Sequence, residues 1–170
     1  MSNYKLVSSD SHIMEPPDLW LERIDPEYKD RAPHVVREGE FDQWYADGDI
    51  KFGIVGSNTQ AGRRFEAPET IRSEGAYEDV LLGGMDPHAH VKDMDLDTVS
   101  AGVIFPSMGL TIWVIPSSDL LSAVFRAYNN WLSDFCAPYP GRLRGLAMIN
   151  VDSVSEGVRE LKRSKEMGLA

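Results

Sequence analysis

The stretch Asp86-Pro-His-Ala-His-Val-Lys-Asp-Met-Asp-Leu-Asp-Thr-Val-Ser-Ala-Gly-Val-Ile-Phe-Pro106 decides the fold. An aspartate followed by proline reads as a helix N-cap with proline at the first helical position. The helix is expected to run to Ser100, with Val91, Met94 and Val99 facing inward, until Ala101-Gly102 ends it. Val103-Ile-Phe-Pro106 then reads as a buried strand. The alternation extends in both directions. Upstream, Leu6 to Ser9 reads as a short buried strand. Downstream, Ser117 or Ser118 caps a helix in which Leu121, Val124, Phe125, Tyr128, Trp131, Leu132 and Phe135 recur at amphipathic spacing. Ala137-Pro-Tyr-Pro-Gly141 breaks that helix, and Leu143 to Val151 reads as a third strand. Ser153-Val-Ser-Glu156 has the form of a capping box. It opens a helix with Val154, Val158, Leu161 and Met167 as its apolar positions and Gly168 as its C-cap.

Near-continuous apolar strands alternating with helices specify an α/β protein, a parallel sheet covered by helices. Three such βα units match the N-terminal part of a (β/α)8 TIM-like barrel, which takes about 250 residues when complete. The chain reads as a partial barrel domain over residues 1–170, stopping before a fourth strand. Residues from about 38 to 85 break the rhythm and read as an insertion between the first and second barrel strands. Within it, Trp44 to Phe52 reads as a hairpin, because Asp47-Gly48 between β-formers favours a type I′ turn. Residues 57–84, rich in glycine and charge, read as a long surface excursion.

The chemistry concentrates near the start, in Lys5-Leu-Val-Ser-Ser-Asp10-Ser-His12-Ile-Met-Glu15-Pro16-Pro17. Residues two apart on a strand point the same way, so Asp10 and His12 would leave the strand end together as two ligands of one metal ion. Glu15 is the candidate catalytic acid: it would orient a ligand or a water, or else stabilise the Pro-Pro turn. Loops after strands build a barrel's active site, which makes Met108, Trp113 and Asn150 candidate substrate contacts. His88-Ala89-His90 copies a metal-binding spelling, yet in a helix i and i+2 do not share a face. His34 reads as a surface residue, Trp44 and Tyr45 as a pocket cover or a small satellite cluster, and Tyr128 and Trp131 as core. Cys136 reads as a buried small hydrophobe.

Composition sets outer limits. A hydrophobic fraction of 42% and a charged fraction of 26% suit a globular domain. The net charge of -10 argues against nucleic acid, which needs clustered cations. A lone cysteine excludes an internal disulfide and fits a reducing compartment. The charge-free segment between Asp97 and Asp119 is interrupted by Gly102, Pro106, Gly109 and Pro116, so it reads as strand plus loop and no membrane span is expected. No apolar core follows Met1-Ser-Asn-Tyr-Lys5, and a cytoplasmic location is expected.

The run Ser9-Asp10-Ser11-His12-Ile-Met-Glu15-Pro16-Pro17-Asp-Leu-Trp20 resembles the opening of amidohydrolase-related proteins, the group that includes aminocarboxymuconate-semialdehyde decarboxylase and the resorcylate decarboxylases. Arg31-Ala-Pro33, Gly83-Gly-Met-Asp86, Asp93-Met-Asp95, Phe105-Pro-Ser-Met-Gly109, Arg126-Ala-Tyr-Asn-Asn-Trp131 and Pro140-Gly-Arg-Leu143 extend the resemblance in order along the chain. It implies a (β/α)8 barrel with one divalent metal at the C-terminal mouth, Zn²⁺ first and Mn²⁺ as the alternative. The family's first strand usually carries His-x-His; Asp10-x-His12 departs from that and makes the site harder. Further family ligands, a histidine from a middle strand and an aspartate from the last, fall beyond residue 170. The implied activity is that of a metal-dependent hydrolase or non-oxidative decarboxylase acting on a small carboxylated or carbonyl substrate, in a protein that is a homo-oligomer at full length. The rival expectation is a truncated, non-catalytic fragment; a third is a ligand-binding protein on a decayed barrel.

Overall fold

A computed structural model describes residues 5–61 and 67–170. The residues before Lys5 and the middle of the predicted excursion, 62–66, lie outside the described residues. Two three-stranded sheets share one hydrophobic core. The first is parallel, in the order β1 (Leu6–His12), β5 (Val99–Phe105), β6 (Leu143–Gly145). The second is antiparallel: β2 (His34–Glu38), β3 (Phe41–Ala46), β4 (Ile50–Ile54). Among the described residues the α-helices are α1 (Leu19–Arg23), α2 (Pro87–Leu96), α3 (Ser118–Cys136) and α4 (Val154–Glu166), with short 3-10 turns between elements.

The βαβ rhythm is present as read, with shifted boundaries. α2 is capped by the Asp86 side chain, which accepts from the Ala89 amide at 2.8 Å. It ends at Leu96, four residues before the expected Ser100, because Thr98 takes a left-handed φ of 58°. Val99 is therefore the first residue of β5 and not a helix position. β1 runs to His12, beyond the expected Ser9, and is not buried: Leu6 and Val7 are 54% and 56% exposed, because β1 is an edge of the sheet. β6 regularises for only three residues of the expected Leu143–Val151. Past Gly145 its backbone finds other partners: Leu146 donates to Ile104, Ala170 donates to Gly145, and Ala147 donates to Ala170. That exchange is the pattern of a parallel ladder, so Ala170 pairs along the outer side of β6.

α3 is the core helix. Ser117 caps it, and Leu120, Val124, Phe125, Tyr128 and Leu132 are buried along it. Asn129, also buried, donates to the Met148 carbonyl and accepts from the Met148 amide, tying α3 to the segment after β6. α4 departs further from expectation. Ser153 makes no capping bond and Glu156 pairs with Arg159, so the capping box does not form. Val154, Val158 and Leu161 are exposed; the face that packs on α3 carries Gly157, Glu160 and Ser164 instead. Gly157 decides this, since a Cβ there would stand 2.9 Å from the Asn150 carbonyl and only glycine lets the helix approach so closely. Gly168, with φ 88°, closes α4 as expected: its amide donates to Lys165 and the Leu169 amide to Ser164, a Schellman motif.

The inserted sheet has one strand more than the expected hairpin, because His34 opens β2. Asp47 and Gly48 have φ values of 50° and 85°, the left-handed pair the turn requires, with Asp49 as an extra residue before Ile50 pairs with Ala46. Trp44 anchors this sheet to the core. It is fully buried, edge-on to Trp20 at 5.1 Å, and the Trp20 indole in turn donates to the Val124 carbonyl of α3. Among the described residues, no helix is long and apolar enough to cross a membrane.

Candidate metal centre

The parallel register places His12 opposite Phe105, so the last residues of β1 and β5 form one rim of the sheet. A bulge between Ser8 and Ser11 puts one extra residue into β1, next to Asp10. Bulges re-aim side chains, and here the result is convergence: His12 Nε2 and Asp10 Oδ1 lie 3.1 Å apart. The His12 ring stacks on Phe105 and its Nδ1 sits 2.8 Å from the Pro106 carbonyl. A carbonyl only accepts, so Nδ1 carries a proton and donates to it, which leaves Nε2 facing the Asp10 carboxylate. Two acceptors at that separation need a cation between them, a proton or a metal ion. Neighbouring donors about 2.1 Å from one small ion stand roughly 3 to 3.4 Å apart, so the pair fits as two ligands of a divalent metal. Among the described residues, no group of three His, Cys, Asp or Glu side chains comes together to hold an ion.

Glu15 is committed to the loop after β5. Its side chain is fully buried and accepts three backbone N–H groups of the loop after β5: Ser107 at 3.1 Å and Gly109 at 2.9 Å on Oε1, Met108 at 2.9 Å on Oε2. Its own carbonyl accepts from the Tyr77 hydroxyl at 2.6 Å. Burial pushes the Glu15 carboxyl above the usual carboxylate range, and the three amides pull it part of the way back. With both oxygens committed, Glu15 reaches the site through the loop it holds. That loop carries Pro106, whose carbonyl fixes the His12 ring. Gly109 is required there: a Cβ would meet Pro106 at 2.7 Å and the Met148 sulfur at 2.8 Å.

The other expected contacts spread out. Met108 is buried beneath Gly53 of β4. Trp113 is half-exposed, packs edge-on to Phe125 at 4.7 Å, and lines an open groove with Ile54, Leu110 and Val114. The Asn150 amide bonds Ser118 and Ser122 at the start of α3 while its oxygen accepts from Asp152, so it faces the α3–α4 seam and not His12. His88 and His90 lie on α2 and bond apart, to the Tyr139 hydroxyl and the Gly83 carbonyl. His12 instead shares a cavity of about 270 Å³ with Asn58, Asp93 and Ser107, over a floor of Ile13 and Met14. Sequence reasoning missed these three. The loop-after-strand rule that selected Met108 covers Ser107 equally; Asn58 reaches the site only through the packing of the insertion, which no local pattern encodes.

No family model matches the sequence, and no curated protein does. Solved structures do share the fold. An amidohydrolase, map2389c, from Mycobacterium avium subsp. paratuberculosis K-10 superposes with a TM-score of 0.74 at 16% identity, over 99% of this chain and 49% of its own. A 2,6-dihydroxybenzoate decarboxylase from Rhizobium gives 0.50 at 14% identity, over 97% of this chain and 36% of its own. This chain therefore spans half or less of the structures it matches, and has the fold of a portion of each.

Proposed function

We propose that this chain forms the first three βα units of an amidohydrolase-type (β/α)8 barrel and supplies the first-strand ligands, Asp10 and His12, of its divalent metal centre. The activity is that of a metal-dependent hydrolase or non-oxidative decarboxylase on a small carboxylated or carbonyl substrate. The observation that carries this reading is the convergence of His12 Nε2 and Asp10 Oδ1 to 3.1 Å at the C-terminal rim of the parallel sheet, with Nδ1 held by Pro106. Asp10 and His12 would hold a divalent ion there, and such an ion would supply Lewis acidity toward a substrate oxygen or water.

The chain's own residues do the positioning. Pro106 holds the His12 proton on Nδ1 and keeps Nε2 free to ligate. Glu15 holds the 107–109 amides in place, and with them Pro106. Phe105 packs on one face of the imidazole and restricts its rotation. Hard oxygen from Asp10 beside nitrogen from His12 suits Zn²⁺ or Mn²⁺. Incubating zinc- or manganese-loaded protein with hydroxybenzoates and simple esters in ¹⁸O-water separates the reactions. Metal-dependent CO₂ release without label in the product marks a decarboxylase, and label in a product acid marks a hydrolase. Either activity must vanish in Asp10→Ala/His12→Ala; activity that survives the double change rejects the assignment. Absence of turnover from metal-loaded protein supports the rival reading of a non-catalytic piece.

A further inference from the structure

The cavity above His12 has a second polar wall, and it comes from the insertion. Asn58 ends the tight turn Val55–Asn58 that follows β4. That turn is clamped. A Cβ on Gly56 would lie 2.4 Å from the backbone of Ser73, Glu74 and Gly75, so the two segments touch main chain to main chain and only glycine fits between them. The Gly56 carbonyl accepts from the buried Thr59 hydroxyl at 2.8 Å and from the Gln60 amide at 2.9 Å. Gly75 is itself pinned to β3, its carbonyl accepting from the Asp42 amide at 3.0 Å. Asn58 is therefore delivered by a rigid platform. Among the described residues its side chain bonds only its neighbour Ser57, so the fold makes little use of the carboxamide.

We propose that Asn58 is a specificity-determining residue of this site, reading a small organic monoacid that binds between the inserted turn and His12. This rests on the proposed function for the role of His12. The cavity's polar groups come from separate elements: His12 from β1, Ser107 from the loop after β5, Asn58 from the insertion, and the exposed carboxylate of Asp93 from α2 beside Gly83. A single carboxylate or oxyanion is served on the His12 side by the Ser107 hydroxyl and by the divalent ion of the proposed function. Asn58 supplies a donor and an acceptor to a neutral polar substituent. Asp93 accepts from a hydroxyl or amine and repels a second carboxylate, which selects against diacids. Ile13, Met14, Val80 and Leu81 give the walls an apolar surface suited to a flat carbon frame.

The test follows the Asn58 side-chain amide by NMR in the 170-residue chain while 3-hydroxybenzoate is added, with and without zinc chloride. The expected result is a saturable shift of that amide and of the Ser107 and Gly83 backbone amides. Asn58→Ala, with its spectrum otherwise unchanged, should weaken binding by about three- to tenfold, the worth of one neutral hydrogen bond. Asn58→Asp should weaken it further, and isophthalate should bind more weakly than 3-hydroxybenzoate. An Asn58 amide that stays put in both titrations overturns the proposal, as does an Asn58→Ala variant that binds as tightly as the parent. Zinc alone reports on the metal reading separately: if it leaves Asp10 and His12 unmoved while the acid still shifts Asn58, the subsite stands and the metal assignment falls.

Discussion

Replacing Glu15 probes the group that ties the loop after β5 together. In Glu15→Ala, two buried amides and the half-buried Ser107 amide lose their acceptor at once. Each unsatisfied donor costs about 1–3 kcal/mol, and relief of the carboxylate's own desolvation offsets part of the sum, leaving a net loss of about 3–5 kcal/mol. For a domain of this size that lowers Tm by roughly 10 °C. Glu15→Gln is more informative, because it keeps the shape. Its oxygen can stay on the Ser107 and Gly109 amides, but its NH₂ then faces the Met108 amide donor to donor, a cost of about 1–3 kcal/mol. The two proteins also differ in pH response. Burial raises the folded-state value of Glu15 above the ordinary 4.5, so the folded chain holds this proton more tightly than the unfolded one. The group's stabilising contribution is thus full below about pH 4.5 and is lost as the pH rises through the folded value. Glutamine does not titrate. In urea unfolding from about pH 4 to about pH 8, the stability gap between parent and Glu15→Gln should narrow as the pH rises. A gap that widens would mean the three amides outweigh burial and hold the carboxyl low, refuting the reasoning.

Two further expectations concern the same core. Gly109→Ala should destabilise by about 2–4 kcal/mol in thermal or urea melts, because its Cβ collides with Pro106 and Met148; a neutral result would show that the loop after β5 is free to shift. Cys136 is buried, and burial pushes its thiol up to about 11. An aromatic disulfide reagent should leave it unreacted in the native protein at about pH 8 and label it fully in urea.

The sequence carried the alternation of strands and helices because caps, turn residues and apolar periodicity are local. Asp86, Ser117, Asp47-Gly48 and Gly168 act where their spelling indicates. What it did not carry depends on neighbours. The apolar spacing of α4 predicts a buried Val154–Leu161 stripe, yet the helix docks through Gly157, where close approach outweighs side-chain hydrophobicity. β1 reads as buried from its residues, but it is a sheet edge, and burial of a strand needs a partner on each side. At the site, the i, i+2 spacing of Asp10 and His12 foretold their convergence. The Pro106 carbonyl that orients His12, and the three amides that enclose Glu15, lie about 90 residues away along the chain and leave no local trace.

The central claim is that Asp10 and His12 jointly hold a divalent ion, and anomalous scattering from crystals soaked in zinc chloride tests it directly. The expected result is one zinc peak within about 2.3 Å of both Asp10 Oδ1 and His12 Nε2, absent from Asp10→Ala/His12→Ala crystals. An intact pair with no density between its two atoms, or a peak that persists in the double variant, would contradict it.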